Sequence, residues 1–317
     1  MKPCILAITG PTASGKTALS LALADILGLR AEIICADSRQ VYKLLDKATA
    51  KPNAQERAFV PHHLIDIRMP DEYYSAGDFA RDATPLVYSV LEKGKLPIIT
   101  GGSGLYVQAL CEGFFDEQAA GLQEKQNMPL RAHLQARLDQ EGRESLYNEL
   151  EQKDPQSALL YSDMNPRRIL RALEYIYATG YPFSQHIKEY TVKPAFTTVY
   201  TAIDMPRPRL YERINQRAVQ MWQDGLIQET AALLQQGYSP DLNSLNTVGY
   251  KQALNMLLHG LPEQKALNDM QQATRNYAKR QITWNNRIHD LLLLQGNTYQ
   301  MAQQLADRLK NNGNLPF

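Results

Sequence analysis

Residues 8–20 read ITGPTASGKTALS, and inside them Gly10-Pro11-Thr12-Ala13-Ser14-Gly15-Lys16-Thr17 places a Lys and a Thr directly after the second of two glycines. Glycines so placed let the backbone curl until successive N–H groups converge on an anion. A helix that begins at the loop adds the positive end of its dipole. Lys16 brings a mobile cation to the phosphates, and the Thr17 hydroxyl can join the shell of a Mg²⁺ ion. The pattern needs a strand before it and a helix after it. Cys4–Thr9 is a continuous apolar run suited to a buried parallel strand, and Thr17–Leu27 has helical spacing. The loop specifies phosphate; it does not specify a triphosphate.

Outward from this loop, strand and helix signals alternate. Ala31–Ala36 is a second apolar run, ending at Asp37. Phe79–Glu92 reads as a helix, and Leu96–Thr100 as a strand stopped by Gly101-Gly102. Alternation of this kind predicts a parallel sheet with helices on its faces. After Gly113 the strand signals fade. Leu130–Leu138 and Glu144–Glu151 are charged and amphipathic, and Asn165-Pro166 opens a helix that Gly180 closes. TTVYTAI (197–203) reads as a strand returning to the sheet, Arg207–Gln235 as a long helical stretch, and the remainder as helical with breaks near 237–246 and 260–262. The expected fold is α/β: a P-loop NTPase-like parallel sheet flanked by helices. Residues 1–112 plus 197–317 form its core, and 113–196 form an inserted all-helical domain.

Bulk properties narrow the function classes. An apolar content of 44% and a net charge of +1 describe a globular chain without a general coat of positive charge; a local basic strip remains possible. Three cysteines (Cys4, Cys35, Cys111) with no Cys-x-x-Cys pair argue against a disulfide framework or a zinc site. No apolar run approaches a membrane span, so a reduced, cytoplasmic setting and no membrane partner are expected.

Several side chains are candidates for chemistry. A nucleotide hydrolase supplies an Asp at the end of an apolar strand to hold its metal, and both Asp37 and Asp66 fit. Asp37 fits equally as a catalytic base, or as a plain helix cap. His62 and His63 are adjacent, so on a strand they point to opposite faces and cannot easily share one ion. Gly101-Gly102-Ser103-Gly104 follows a strand, where open α/β sheets bind ligands, although a tight turn explains the glycines equally well. Arg167, Arg168 and Arg171 share one side of the helix from Pro166. Residues 275–287 carry Arg275, Lys279, Arg280 and Arg287 with no acid, and Trp284 lies one turn from Arg280. Cations interleaved with an aromatic suit a phosphate backbone and an unstacked base; a solvated charged face is the alternative. Arg213 and Arg217, four apart, could close over a diphosphate from outside the loop.

Taken together, the chain resembles the tRNA dimethylallyltransferases, also called tRNA isopentenyltransferases. The resemblance lies in GPTASGKT (10–17), ADSRQVYK (36–43), TAKP (49–52), PHHLID (61–66), YSAGDF (74–79), GGSGLY (101–106), RRILRALE (167–174), RINQRAVQMWQDGLIQE (213–229), VGYK (248–251) and YAKRQITW (277–284). The order and spacing of these stretches carry the specificity. Departures are LLDKA (44–48), where a glycine is common, Ser103 where Thr is usual, and Asn285-Asn286 after the Trp.

The resemblance implies transfer of a dimethylallyl group from its diphosphate to N6 of the adenosine immediately 3′ of the anticodon. Gly10 to Thr17 and Arg217 would then hold the leaving diphosphate, with Mg²⁺ at Thr17. Asp37 matches the family's general base, and Ser103 would orient the amine or a phosphate oxygen. Asp37, Ser38, Arg39, Gln40, Arg167, Arg168, Arg171, Gly249, Tyr250, Lys251, Lys279, Arg280, Gln281 and Trp284 would hold the anticodon stem-loop of tRNA. The insert would be the tRNA-binding domain, and no obligate protein partner, hence a monomer, is expected. Without the resemblance, a small-molecule or nucleoside kinase fits the loop, as does a nucleotide-switched RNA-binding protein. The kinase would leave the basic strips idle, and the switch would have no need of Asp37.

Overall fold

The structure, a computed structural model, describes residues 2–116, 119–120, 124–313 and 315, without the side chains of 124–128. In chain order its elements are β1 (Cys4–Thr9), α1 (Lys16–Ile26), β2 (Ala31–Cys35), α2 (Ala54–Phe59), β3 (His62–His63), α3 (Ala76–Glu92), β4 (Leu96–Thr100) and α4 (Gly104–Glu112). There follow β5 (Phe114–Phe115), α5 (Glu124–Lys153), α6 (Pro155–Leu160), α7 (Pro166–Thr179), α8 (Phe183–Glu189) and β6 (Thr191–Val192). The chain ends with β7 (Thr197–Ile203), α9 (Arg207–Met221), α10 (Ile227–Gln235), α11 (Tyr250–His259), α12 (Glu263–Asn285), β8 (Leu292–Leu294) and α13 (Thr298–Asn311). Two compact units result, Met1–Glu112 with Pro194–Phe317, and Gly113–Lys193.

The larger unit is built on a six-stranded sheet in the order β3-β2-β4-β1-β7-β8, every neighbouring pair parallel. Alternate residues of each strand enter opposite cores. Ile5, Ala7, Ile34 and Ile99 pack with Phe79 and Val87 of α3, with Tyr106 and Leu110 of α4, and with Tyr250 and Met270. Leu6, Ile8, Ile33 and Ile98 pack with Leu19 and Leu23 of α1 and with Met301, Leu305 and Leu309 of α13. Both faces are covered, which is why the strands read as continuous apolar runs rather than alternating ones. The register sets Ile8 and Cys35 on either side of Thr100. The carboxyl ends of β2, β4 and β1 therefore lie side by side, and the loops after them, at 36–40, 101–104 and 10–17, rise from one edge. That edge is where open parallel sheets bind their ligands.

Residues Gly113–Lys193 have a core of their own, with Leu134, Leu146, Leu150, Ile169, Leu173, Tyr175 and Phe183 buried together. Asn165 caps α7 by accepting from the Arg167 N–H, and Gly180 ends it at φ +77°, as the sequence predicts. The two charged stretches expected at 130–138 and 144–151 form one span, α5, broken at Gly142 (φ +81°). Asp154 is buried and accepts from the backbone N–H and hydroxyl of both Ser157 and Ser184, so it binds the start of α6 to the start of α8. The unit is not wholly helical: β5 and β6 form a two-residue antiparallel pair.

Two further differences from the sequence reading have plain causes. The stretch expected as one helix over 207–235 is interrupted by a π-helical turn at Trp222–Leu226, where Gly225 takes φ +101°. The region expected as wholly helical after 262 contains β8, which extends the sheet beyond β7. Four leucines in a row, 291–294, are too short a run to show whether they belong to a strand or a helix. Among the described residues no helix is long and apolar enough to cross a membrane.

Candidate functional site

The loop from Gly10 to Thr17 joins β1 to α1 as its pattern requires. Gly10 (φ +122°), Ala13 (φ +64°) and Gly15 (φ +106°) turn it through left-handed backbone, the geometry that gathers N–H groups around an anion. The loop forms one wall of a cavity of about 710 Å³, to which Thr12, Ala13, Gly15, Lys16 and Thr17 all contribute. Lys16 Nζ rests on the carbonyls of Gly10 and Pro11, each at 2.9 Å. Burial, and then the Arg217 charge, push its ammonium down to about 8, against an opposing pull from Asp37. A desolvated cation of this kind gains more from an anionic ligand than an exposed one.

Asp37 lines the same cavity from the end of β2. Its Oδ1 accepts from the N–H groups of Arg39 (2.9 Å) and Gln40 (3.4 Å), so half of the carboxylate does cap a turn. The other oxygen, Oδ2, lies beside Gly102: a Cβ on that glycine would stand 3.2 Å from it. Three glycines of the 101–104 loop are dictated by close approach. A Cβ on Gly101 would fall 2.0 Å from the Ala36 carbonyl oxygen, and one on Gly104 would fall 2.4 Å from the Trp284 indole. Ser103 Oγ accepts from the Ser38 N–H at 2.8 Å and donates to Ser38 Oγ at 3.0 Å, so it fixes the Asp37 loop from beneath.

From α9, Arg213 and Arg217 reach the cavity lining beside the loop. A Cβ on Gly15 would stand 3.9 Å from an Arg213 terminal nitrogen. Burial lowers the Arg217 guanidinium, Asp37 acts to raise it, and Arg213 lowers it further. Three cations thus face one cavity. Gln40 also lines it, with its amide donating to the carbonyls of Thr49 and Ala50.

Of the other candidates, His62 and Gln281 also line the cavity; the rest are outside its lining. Asp66 pairs with Lys51 (2.5 Å) and Arg57 (2.9 Å) and is not in the cavity lining, so it holds the TAKP segment in place. His63 Nε2 bonds Glu32 at 2.9 Å while His62 Nδ1 meets the Val60 carbonyl at 2.7 Å, and the two rings diverge as expected. Among the described residues no cluster of three or more His, Cys, Asp or Glu could hold a metal. Gly249 needs its φ of +96° and the space beside Ala48, and Tyr250 is 0% exposed with its hydroxyl on Glu229. Of the VGYK turn, Lys251 is the exposed side chain. Lys279 and Arg280 are exposed on α12, Arg280 over the Tyr277 ring, while Trp284 covers Gly104. In the smaller unit Arg167 and Arg168 are exposed, Arg168 near Asp163, whereas Arg171 turns back to the buried Glu174.

Sequence reasoning missed the way α12 grips the site. Gln281, expected among the RNA contacts, is 7% exposed. Its Oε1 accepts from the Thr12 N–H and its Nε2 donates to the Gly102 carbonyl, both at 2.8 Å. Tyr277, one turn earlier, donates to the same carbonyl at 2.9 Å. The signal available was the i, i+4 spacing of two polar side chains, which does not tell a tie from a solvated face.

The chain is similar to proteins of one family. A model of the IPP transferase family matches residues 40–288. The tRNA dimethylallyltransferase 1 of Trichlorobacter lovleyi is 42% identical over 285 residues, 90% of this chain and 91% of that protein. The tRNA dimethylallyltransferase of Alkaliphilus oremlandii is 36% identical over 97% of this chain and 96% of its own. Among solved structures, the full-length tRNA isopentenylpyrophosphate transferase of Bacillus halodurans superposes with a TM-score of 0.69 at 34% identity, covering 98% of this chain and 96% of that one. A eukaryotic dimethylallyltransferase acting on tRNA reaches 0.80 at 28% identity, covering 98% and 79%. With a family model that spans most of the chain and relatives that align almost end to end, this chain belongs to the IPP transferase family.

Proposed function

We propose that this protein transfers a dimethylallyl group from dimethylallyl diphosphate to N6 of the adenosine immediately 3′ of the anticodon in tRNA and releases diphosphate. One observation carries the reading: a phosphate cradle with three cations and a half-free carboxylate, Asp37, line one cavity. The adenine N6 lone pair is delocalised, so the amine must lose a proton as its bond to carbon forms. N6 attacks the allylic carbon, the carbon–oxygen bond breaks, and its electron pair leaves with the diphosphate. The N6 proton passes to Asp37 Oδ2. A carboxylate in that position contributes about 10²- to 10⁴-fold. Lys16, Arg213 and Arg217 offset the charge that grows on the departing oxygens.

Mg²⁺ suits the residues present. Thr17, at the first turn of α1, lines the cavity with Asp37; Cys35 and His62 line it too, but burial pushes the Cys35 thiol up and away from the thiolate a soft metal needs, and a single imidazole makes no cluster. Mg²⁺ characteristically keeps water and binds substrate phosphates with only one or two protein oxygens. When bound at Thr17 it would neutralise diphosphate charge.

The exposed cations Arg167, Arg168, Lys251, Lys279 and Arg280 support a role in holding the tRNA backbone, and Gln40 in the lining supports contact with a nucleotide beside the target. The adenosine would leave its stack to reach Asp37. A reduced cytoplasmic setting and a monomer remain parts of this proposal. The test is transfer of label from dimethylallyl diphosphate to unmodified tRNA with Mg²⁺, with labelled ATP in parallel. Label in the tRNA is expected. Phosphate moved from ATP to an acceptor, without prenyl transfer, would refute the reading in favour of a kinase.

A further inference from the structure

We infer that Gln281 is a positioning residue: its side-chain amide ties the diphosphate cradle to the Gly101–Gly104 loop and so sets the spacing between leaving group and accepting amine. This deepens the transferase reading and rests on it. The two loops lie far apart in sequence from α12, and one side chain reaches both, at 2.8 Å to Thr12 N and 2.8 Å to Gly102 O. Tyr277 supplies a second donor to Gly102 O at 2.9 Å. A carbonyl oxygen has two lone pairs, so both bonds can be satisfied at once. Gln281 is buried, and a donor and an acceptor of its amide are already engaged by the two loops.

Gln suits both ends and its near relatives do not. Glu keeps an acceptor for the Thr12 N–H but turns a carboxylate oxygen toward the Gly102 carbonyl. Asn is one methylene shorter and cannot span the two loops. Gly102 in turn leaves the space the amide needs, since a Cβ there would stand 2.9 Å from Gln281 Nε2. Because the Thr12 N–H is taken by Gln281, the width of the cradle is fixed partly from α12. A reacting pair displaced by about 1 Å loses on the order of 10²-fold in rate.

The test compares Q281M, Q281E and Y277F in the full-length protein by three readouts: kcat and KM for label transfer, tRNA affinity across a salt series, and hydrogen exchange at the Thr12 amide without substrate. For Q281M we expect kcat to fall about 100-fold, tRNA affinity and its salt slope to hold, and the Thr12 amide to exchange faster. Q281E should keep the Thr12 protection yet lose kcat, and Y277F should fall less than either. If Q281M does not fold, Q281E, which keeps the bond to Thr12, and Y277F, which keeps both bonds of Gln281, carry the same comparison. Weakened tRNA binding with full kcat at saturating tRNA would make Gln281 an RNA contact and overturn the inference. Unchanged Thr12 exchange in Q281M would overturn it regardless of catalysis. Absence of prenyl transfer by the unaltered protein would instead remove the transferase reading, so the two failures are distinguishable.

Discussion

Asp37→Asn is the sharpest perturbation of the site, because Asn preserves one half of the carboxylate's work and removes the other. The Asn carbonyl oxygen can still accept from the Arg39 and Gln40 N–H groups that Asp37 Oδ1 now caps at 2.9 and 3.4 Å. The loop therefore stays in place and no cavity is opened. What disappears is the proton acceptor at Oδ2. Loss of a general base costs about 10²- to 10⁴-fold in kcat, which is about 3–5 kcal/mol of barrier. The electrostatics fix the sign on the other substrate. Asp37 draws upward on the basicity of Lys16 and Arg217, so its negative charge opposes that of an incoming diphosphate. At pH 6.5, where Lys16 stays protonated, D37N should leave KM for dimethylallyl diphosphate unchanged or lower. The assay is steady-state transfer with each substrate varied, together with a Mg²⁺ titration. A kcat within threefold of the unaltered enzyme would refute the base assignment. A raised diphosphate KM with a raised Mg²⁺ requirement would make Asp37 a metal ligand, the role left open by its place at the end of a strand.

Two further outcomes follow from the titrating groups. Lys16 in the free enzyme is a cation below about 8 and neutral above it, so kcat/KM for the diphosphate should fall as pH rises through that value; K16R, charged throughout, should flatten this limb, and an unmoved limb would assign it to another group. Burial acts to raise the Asp154 carboxyl, but donors from Ser157 and Ser184 outweigh it and hold the group below its ordinary 3.8. Its stabilising contribution is therefore present above 3.8 and lost as pH falls through the lower folded value. D154A, which strands those donors, should cost about 2–3 kcal/mol, read as a lowered melting temperature at pH 7; a difference that shrinks in acid supports the assignment, and one that persists unchanged refutes it.

The cradle and the sheet were legible because their local chemistry admits few alternatives. Glycines at 10 and 15 between an apolar strand and a helix have one well-known geometry, and buried parallel strands announce themselves as unbroken apolar runs. Asp37 could be narrowed but not assigned, since a cap, a metal ligand and a base look alike in sequence. Ser103 was singled out as a hydroxyl facing substrate, yet its Oγ accepts from the Ser38 N–H, a contact made across 65 residues that spacing cannot foretell. The same limit hid Gln281 and Tyr277, whose partners lie on distant loops. The resemblance places Tyr250 among the tRNA contacts, but packing at Gly249 and the Glu229 contact draw it wholly inside.

The spacing of the strands explains how a cradle shared with nucleotide hydrolases can serve alkyl transfer. The sheet order puts β4 between β1, which carries the cradle, and β2, which carries Asp37. Strands stand about 4.8 Å apart, so the two functional edges are separated by roughly 10 Å. That distance leaves room for a diphosphate, the allylic carbon and an amine in line, with reacting atoms about 3 Å apart. The β4 loop lies beneath the middle of this line, which gives its glycines a catalytic as well as a packing reason. No other carboxylate competes for the far position among the described lining residues: Glu56 is engaged in the capping box with Asn53, and Asp66 is held by Lys51 and Arg57 outside the lining. Gly102→Ala tests the arrangement. Its methyl would stand 2.9 Å from Gln281 Nε2, whose amide also holds the Thr12 N–H, and 3.2 Å from Asp37 Oδ2. Diphosphate KM should hold while kcat falls by on the order of 10²-fold. A variant that loses diphosphate affinity but keeps kcat would place the reacting carbon away from β4 and refute this geometry.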